Sequence, residues 1–124
     1  MRIVMKYKAL SIVYPAVENI LNGSKDVEIR SWMPPDIPMR NLVLIENSRY
    51  LNDGEVEPYA YARAIVDILD VKEWTYEDYL AQAETVRIGR KWKPGYYIWL
   101  LSNVREIKNK APCEAKKGIY EIDI

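Results

Sequence analysis

The alternation of apolar and polar positions along this chain predicts strands more often than helices. Apolar residues from Tyr7 to Ile12 predict a first strand. Tyr14-Pro15 follows, and proline suits the first turn of a helix. Val17, Ile20 and Leu21 then fall at i, i+3, i+4, so residues 15–22 predict a short amphipathic helix stopped by Asn22-Gly23. From Asp26 to Ser31 the alternation is strict, with Val27 and Ile29 on one face and Glu28 and Arg30 on the other. Three prolines within Met33 to Pro38 leave few ladder donors and predict a loop. Asn41 to Asn47 reads as a buried strand. After a polar turn at Asn52-Asp53-Gly54, the run Tyr59 to Val71 places Ala60, Ala62, Ala64, Val66 and Ile68 on alternate positions. This is read as strand, with its alanine content keeping helix as the competitor. Thr75 stands three residues before Asp78, a capping pattern that predicts a helix to about Ala83. A basic loop over Arg87 to Gly95, a strand over Tyr96 to Ile107 and a last strand over Gly118 to Ile124 complete the chain. Six strands and two short helices without regular alternation predict an α+β domain around a mostly antiparallel sheet or small barrel.

Composition changes this picture mainly by exclusion. The 124 residues fit a single domain over 1–124, and 49% hydrophobic residues are enough for a core. There is no histidine, and Cys113 is the only cysteine. That removes a Ser-His-Asp triad, a Cys-His pair, a Cys/His zinc site and an intramolecular disulfide. A lone thiol suits a reducing cytosol, and no run approaches ~20 apolar residues, so a cytoplasmic chain without a membrane partner is expected. Cys113 follows Pro112 and has no partner base. Five glycines at these spacings write neither a P-loop nor a dinucleotide fingerprint, so no cofactor is expected. Asp53-Gly54-Glu55-Val56-Glu57 lacks the alternating frame of a calcium loop and reads as a solvated acidic turn; no metal is expected. Oligomeric state is not legible, and nothing in the pattern opposes a monomer.

Eighteen basic residues balance eighteen acidic ones, but unevenly. Positions 45–85 hold three basic and ten acidic residues, and positions 86–124 hold nine basic and four acidic. Such asymmetry produces either solvated faces or a bipolar molecule with one side able to meet phosphate. In Arg87, Arg90, Lys91, Trp92 and Lys93 an aromatic stands among cations, a pattern equally suited to a nucleic-acid rim and to a solvated loop.

The densest polar constellation is Gly23-Ser24-Lys25-Asp26-Val27-Glu28-Ile29-Arg30-Ser31-Trp32. Read from spacing alone, Glu28 and Arg30 on one strand face form either a weak exposed ion pair or part of a site. Gly-x-Lys-x-x-Glu-x-Arg over positions 23–30 resembles the signature of the ASCH superfamily, named for activating signal cointegrator homology. The resemblance extends to Leu10-Ser11-Ile12 with Tyr14-Pro15, to Arg30-Ser31-Trp32, to Trp99 through Arg105, and to Lys117-Gly118-Ile119-Tyr120. It implies a PUA-like small β-barrel of about six mostly antiparallel strands with two or three short helices, and a cleft lined by the motif.

By that resemblance Lys25, Glu28 and Arg30 line a cleft for RNA, a nucleotide or a modified nucleoside. The residue chemistry agrees. Arg30 offers a planar fork, Lys25 a mobile point charge and Glu28 an acceptor for an exocyclic amine. Trp32 and Tyr14 are candidates for stacking on a base, whereas Trp99 in its apolar strand reads first as core. Arg87, Arg90, Lys91 and Lys93 are the candidate basic rim. One branch of the superfamily is an amidohydrolase that deacetylates acetylcytidine with a Lys, a Thr and a Glu. Its Lys aligns with Lys25 but its Thr falls on Glu28, and its Glu finds no fixed place among Glu73, Glu77 and Glu84. No catalytic residue is therefore assigned; a water-based variant would use Lys25 and Glu28. The readings are a binding domain first, a small nucleoside amidohydrolase second, and a protein-interaction domain using the acidic middle segment third.

Overall fold

The computed structural model describes residues 4–82 and 91–124. Its elements are β1 (Lys6–Val13), α1 (Ala16–Leu21), β2 (Val27–Arg30), β3 (Met39–Asn47), β4 (Val56–Glu73), α2 (Tyr76–Ala81), β5 (Tyr97–Lys116) and β6 (Ile119–Asp123). The strands form one sheet in the order β2-β5-β4-β3-β1-β6. β1 and β3 run parallel, with Leu10 opposite Leu44, and the other four pairings are antiparallel. The result is a small β-rich α+β fold. The alanine-rich run lies within β4, where Ala60, Ala62, Ala64, Val66 and Ile68 are all buried. Period-two alternation thus prevails over the helix propensity of alanine, because the small side chains let the neighbouring strands' larger residues fill the interior.

Two apolar clusters divide the long strands. Leu10, Ile12, Leu42, Leu44, Val66, Ile68 and Trp99 form one core with Val17 and Ile20 of α1. Ala9, Val43 and Ile45, on the other face of β1 and β3, form a second with Ala60 and Ala62 near the start of β4 and Ala115 near the end of β5. β4 and β5, of 18 and 20 residues, serve both because register shifts bend them. β5 therefore runs on to Lys116 instead of ending near Ile107.

The bending brings the β2 edge round toward β1. Leu10 and Ile12 of β1 share a core with Trp99 of β5, the strand beside β2. Arg30 on β2 donates from Nη2 to the carbonyl oxygen of Ser11 on β1 at 3.0 Å. No ladder joins β2 to β1 or β6 among the described residues, so the hydrogen-bonded pairing is an open sheet and not the closed barrel expected from sequence. The gap is bridged by side chains.

α2 starts as its sequence predicts. Thr75 Oγ1 accepts from the Asp78 N–H at 3.1 Å, while the Asp78 carboxylate accepts from the Thr75 N–H at 3.1 Å and the Thr75 hydroxyl at 2.9 Å. These bonds hold the Asp78 carboxyl below the usual carboxylate range. Thr75→Ala is expected to lower stability by about 1 kcal/mol in urea unfolding, the usual cost of a lost N-cap.

Candidate functional site

The site begins at the exit from α1. Gly23 sits at φ +82°, in the left-handed region that glycine enters without strain. Its N–H donates to the Ile20 carbonyl at 3.2 Å, and the Lys25 N–H returns to the Asn19 carbonyl at 3.0 Å. Ser24 adds a bond from its N–H to Asn22 Oδ1 at 2.9 Å. This closed turn fixes Lys25 just ahead of β2.

On β2 both faces are enclosed. Ile29 packs with Trp74 and Ile98 in a third apolar cluster, with Val27 half-buried against it. The opposite face carries Glu28, whose side chain is only 7% exposed. Its Oε2 accepts from Lys25 Nζ at 3.4 Å, and its Oε1 accepts from Arg30 Nε at 3.2 Å. Arg30 then reaches Ser11 across the gap. Lys25, Glu28 and Arg30, chosen from sequence as site residues, are one connected polar unit. Glu28 fixes both cations, and burial strengthens each link relative to an exposed pair.

Between β1 and β2 lies a cleft of about 780 Å³, lined by all three of these side chains. Tyr14 and Trp32 also line it. Tyr14 is exposed, while Trp32 is half-buried and packs edge-on against Trp99 at 4.9 Å between ring centres. Trp99 is fully buried and donates from Nε1 to the Trp32 carbonyl at 3.2 Å. It is core, and it holds Trp32 in place. Ser11, the acceptor for Arg30, shares a 2.8 Å hydroxyl–hydroxyl bond with Tyr120, whose own pKa is pushed up to about 12 by burial. Tyr120 therefore stays protonated at neutral pH and also donates to the Glu114 carbonyl at 2.9 Å. Asn47 Oδ1 and Trp74 Nε1 are buried without a hydrogen-bond partner among the described residues. Both residues line the cleft, with these two atoms closed off beneath its surface.

The predicted basic rim lies elsewhere in part. Lys91 and Lys93 are exposed but are not among the cleft-lining residues. Trp92 between them turns inward, donating from Nε1 to the Trp74 carbonyl at 3.0 Å. Arg87, Arg90 and Glu84 fall outside the described residues. The cleft instead contains cations that sequence reasoning did not single out: Arg49, Lys116 and Lys117, with Tyr50 beside them. Their distance along the chain from the 23–32 motif left no local signal of this grouping.

No group of three or more acidic or cysteine side chains that could hold a metal ion occurs among the described residues. No described helix is long and apolar enough to cross a membrane. The family model of the ASCH domain matches residues 10–111, which run from the second half of β1 through the larger part of β5 and contain the whole Gly23–Arg30 motif. No match was found among curated proteins.

Proposed function

The chain belongs to the ASCH domain family, a family associated with RNA binding, and we propose that it binds RNA or a nucleotide in the cleft between β1 and β2. The observation that carries this reading is the Lys25–Glu28–Arg30 unit, enclosed in the wall of a cleft large enough for a nucleoside. Pockets of a few hundred cubic ångströms with a few fixed polar groups are the usual form of a small-ligand site. Lys25 and Arg30, held by Glu28, present cationic donors to a phosphate or base edge, and Glu28 accepts from an exocyclic amine. Trp32 and Tyr14 supply aromatic faces, and exposed Lys91 and Lys93 add to the positive field outside. In this reading the coiled sheet is the counterpart of a PUA-like barrel, with its unpaired seam kept open as the ligand site.

Binding without chemistry ranks above hydrolysis on one observation. Both oxygens of Glu28 already accept charge-assisted bonds from Lys25 and Arg30, which is the arrangement of a positioning acceptor. Titrating single-stranded RNA at several salt concentrations tests the reading, because phosphate contacts give an affinity that falls steeply with salt. Lys25→Ala with Arg30→Ala is expected to weaken binding at least about tenfold, on the scale of lost charge-assisted contacts. Tight, salt-independent binding to a protein partner with no RNA binding would reject it.

A further inference from the structure

The cleft has a second charged end that the motif does not explain. Ser11 connects the two ends through a single residue: its carbonyl accepts from Arg30 Nη2, and its Oγ accepts from the Lys116 N–H at 3.2 Å. Lys116 and Lys117 lead into the β5–β6 turn, where Gly118 at φ +78° reverses the chain. The other side of this mouth is the segment after β3. There the Tyr14 N–H donates to the Asn47 carbonyl at 2.9 Å, and Asn47 Nδ2 donates to the Arg49 carbonyl at 2.6 Å. Arg49 and Tyr50 are thereby tied to Tyr14. Tyr14 and Tyr50 are 63% and 85% exposed, far more than packing requires of tyrosines.

Every cation at this mouth faces a carboxylate. Arg49 Nη1 meets Glu55 Oε2 at 2.8 Å, Lys117 Nζ meets Asp53 Oδ1 at 3.3 Å, and Lys116 Nζ meets Glu114 Oε2 at 3.9 Å. Two of the three carboxylates belong to one turn, closed by the Glu55 N–H to the Asn52 carbonyl at 3.0 Å. Asp53 is 94% exposed and Lys117 54%, so this pair is hydrated and readily exchanged. A phosphodiester, with two anionic acceptor oxygens, competes well for such cations, whereas a neutral nucleoside has nothing to offer them.

We propose that Arg49, Lys116 and Lys117 form a phosphodiester subsite at the mouth of the cleft, and that the Asp53–Glu55 turn is its built-in competitor. The inference rests on the nucleotide-binding reading and specifies its ligand class. The ligand is a single-stranded oligonucleotide, with one base inside against the Lys25–Glu28–Arg30 unit. Its backbone passes over the mouth, and the neighbouring base lies against Tyr14 or Tyr50.

Cytidine and a cytidine hexaribonucleotide, titrated separately, test this. In the triple variant Arg49→Gln, Lys116→Gln, Lys117→Gln, hexanucleotide affinity is expected to fall about tenfold or more. The log–log salt slope should become shallower by about 1.4, at ~0.7 per lost contact for two phosphates. Cytidine binding should stay as in the wild type. Asp53→Asn with Glu55→Gln should tighten the hexanucleotide about threefold, the scale of an exposed ion pair, again without effect on cytidine. This arm moves opposite to any loss of folding. If cytidine binds but neither variant changes hexanucleotide affinity, the mouth is not a phosphate subsite and the inner-cleft reading stands. If wild-type protein binds neither probe, the nucleotide reading itself fails, and this inference with it.

Discussion

Asp67→Ala is expected to destabilise the fold by about 3 kcal/mol, the low end of the ~3–5 kcal/mol seen when one partner of a buried charge pair is removed. Asp67 lies on β4, and its side chain is 4% exposed. Its Oδ1 accepts from the Asn41 N–H at 3.0 Å and Arg105 Nη2 at 2.9 Å; its Oδ2 accepts from Asn103 Nδ2 at 3.2 Å and Arg40 Nη1 at 3.3 Å. Asn41 and Asn103, on the two strands flanking β4, have φ of 58° and 50°. Both sit beside register shifts, and asparagine tolerates this left-handed backbone better than most residues. One carboxylate therefore pins the bulges of two neighbouring strands, the features that coil the sheet. Removing it leaves the Asn41 N–H without its acceptor, whereas Arg40 and Arg105, 63% and 38% exposed, regain water. That recovery places the cost at the low end.

The same residue sets an acid dependence. Chiefly the Asn41 N–H bond, aided by Asn103, Arg105 and Arg40 and opposed by burial, holds the Asp67 carboxyl below the usual aspartate range. A depressed folded-state pKa means that the unfolded chain binds the proton more readily. The stabilisation is thus complete at pH well above the unfolded value of ~3.9 and fades as pH falls through the folded pKa. Urea unfolding of wild type and Asp67→Asn is expected to show a gap at pH 7 that narrows toward pH 2. A gap independent of pH would assign the effect to shape instead of charge.

The legible parts of this structure are those specified by neighbouring residues. The helix after Pro15, the Thr75 capping pair and the alternation across Tyr59 to Val71 all carry local signals, and all appear in the fold. β5 does not end where the pattern breaks at Lys108-Asn109-Lys110 and Pro112. β2 pairs with β5 only from Tyr97, opposite Arg30, to Leu100, opposite Val27, so the stretch of β5 around Pro112 has β4 as its only ladder partner among the described residues. The burial of Glu28 was equally hidden. Alternation separates the two faces of β2 but does not show that the coiled sheet returns to cover the second, and that return depends on bulges at Asn41 and Asn103 far away in sequence. The Gly23–Arg30 motif marks the inner cleft because its residues are contiguous, while Arg49, Lys116 and Lys117 join it only through β1.

Glu28 is where stability and recognition meet, and Glu28→Gln is expected to change both. The amide keeps the shape and one acceptor oxygen but faces two cations that each lose a counter-charge. Complete enclosure would cost ~3–5 kcal/mol, but Lys25 and Arg30 keep 21% and 24% of their side-chain surface exposed, so about 2 kcal/mol is expected in urea unfolding. The binding effect has a different signature. A carboxylate only accepts, so it favours bases that present an amine; a glutamine both accepts and donates. Wild type should prefer cytidine and adenine oligonucleotides over uridine ones, and the variant should lose about tenfold of that preference, within the ~1–3 kcal/mol of a good base contact. Measuring all three probes under conditions where the variant remains folded separates this from a general loss of affinity. Glu28→Ala tests the same point by a second route, since it removes acceptor and donor together and should flatten the preference without reversing it. Hydrolysis of an acylated cytidine by wild type, abolished in both Glu28→Gln and Lys25→Ala while binding persists, would instead make Glu28 the water-activating base. The bonds from Lys25 and Arg30 would then have to open during turnover, and the order of the two readings would be reversed.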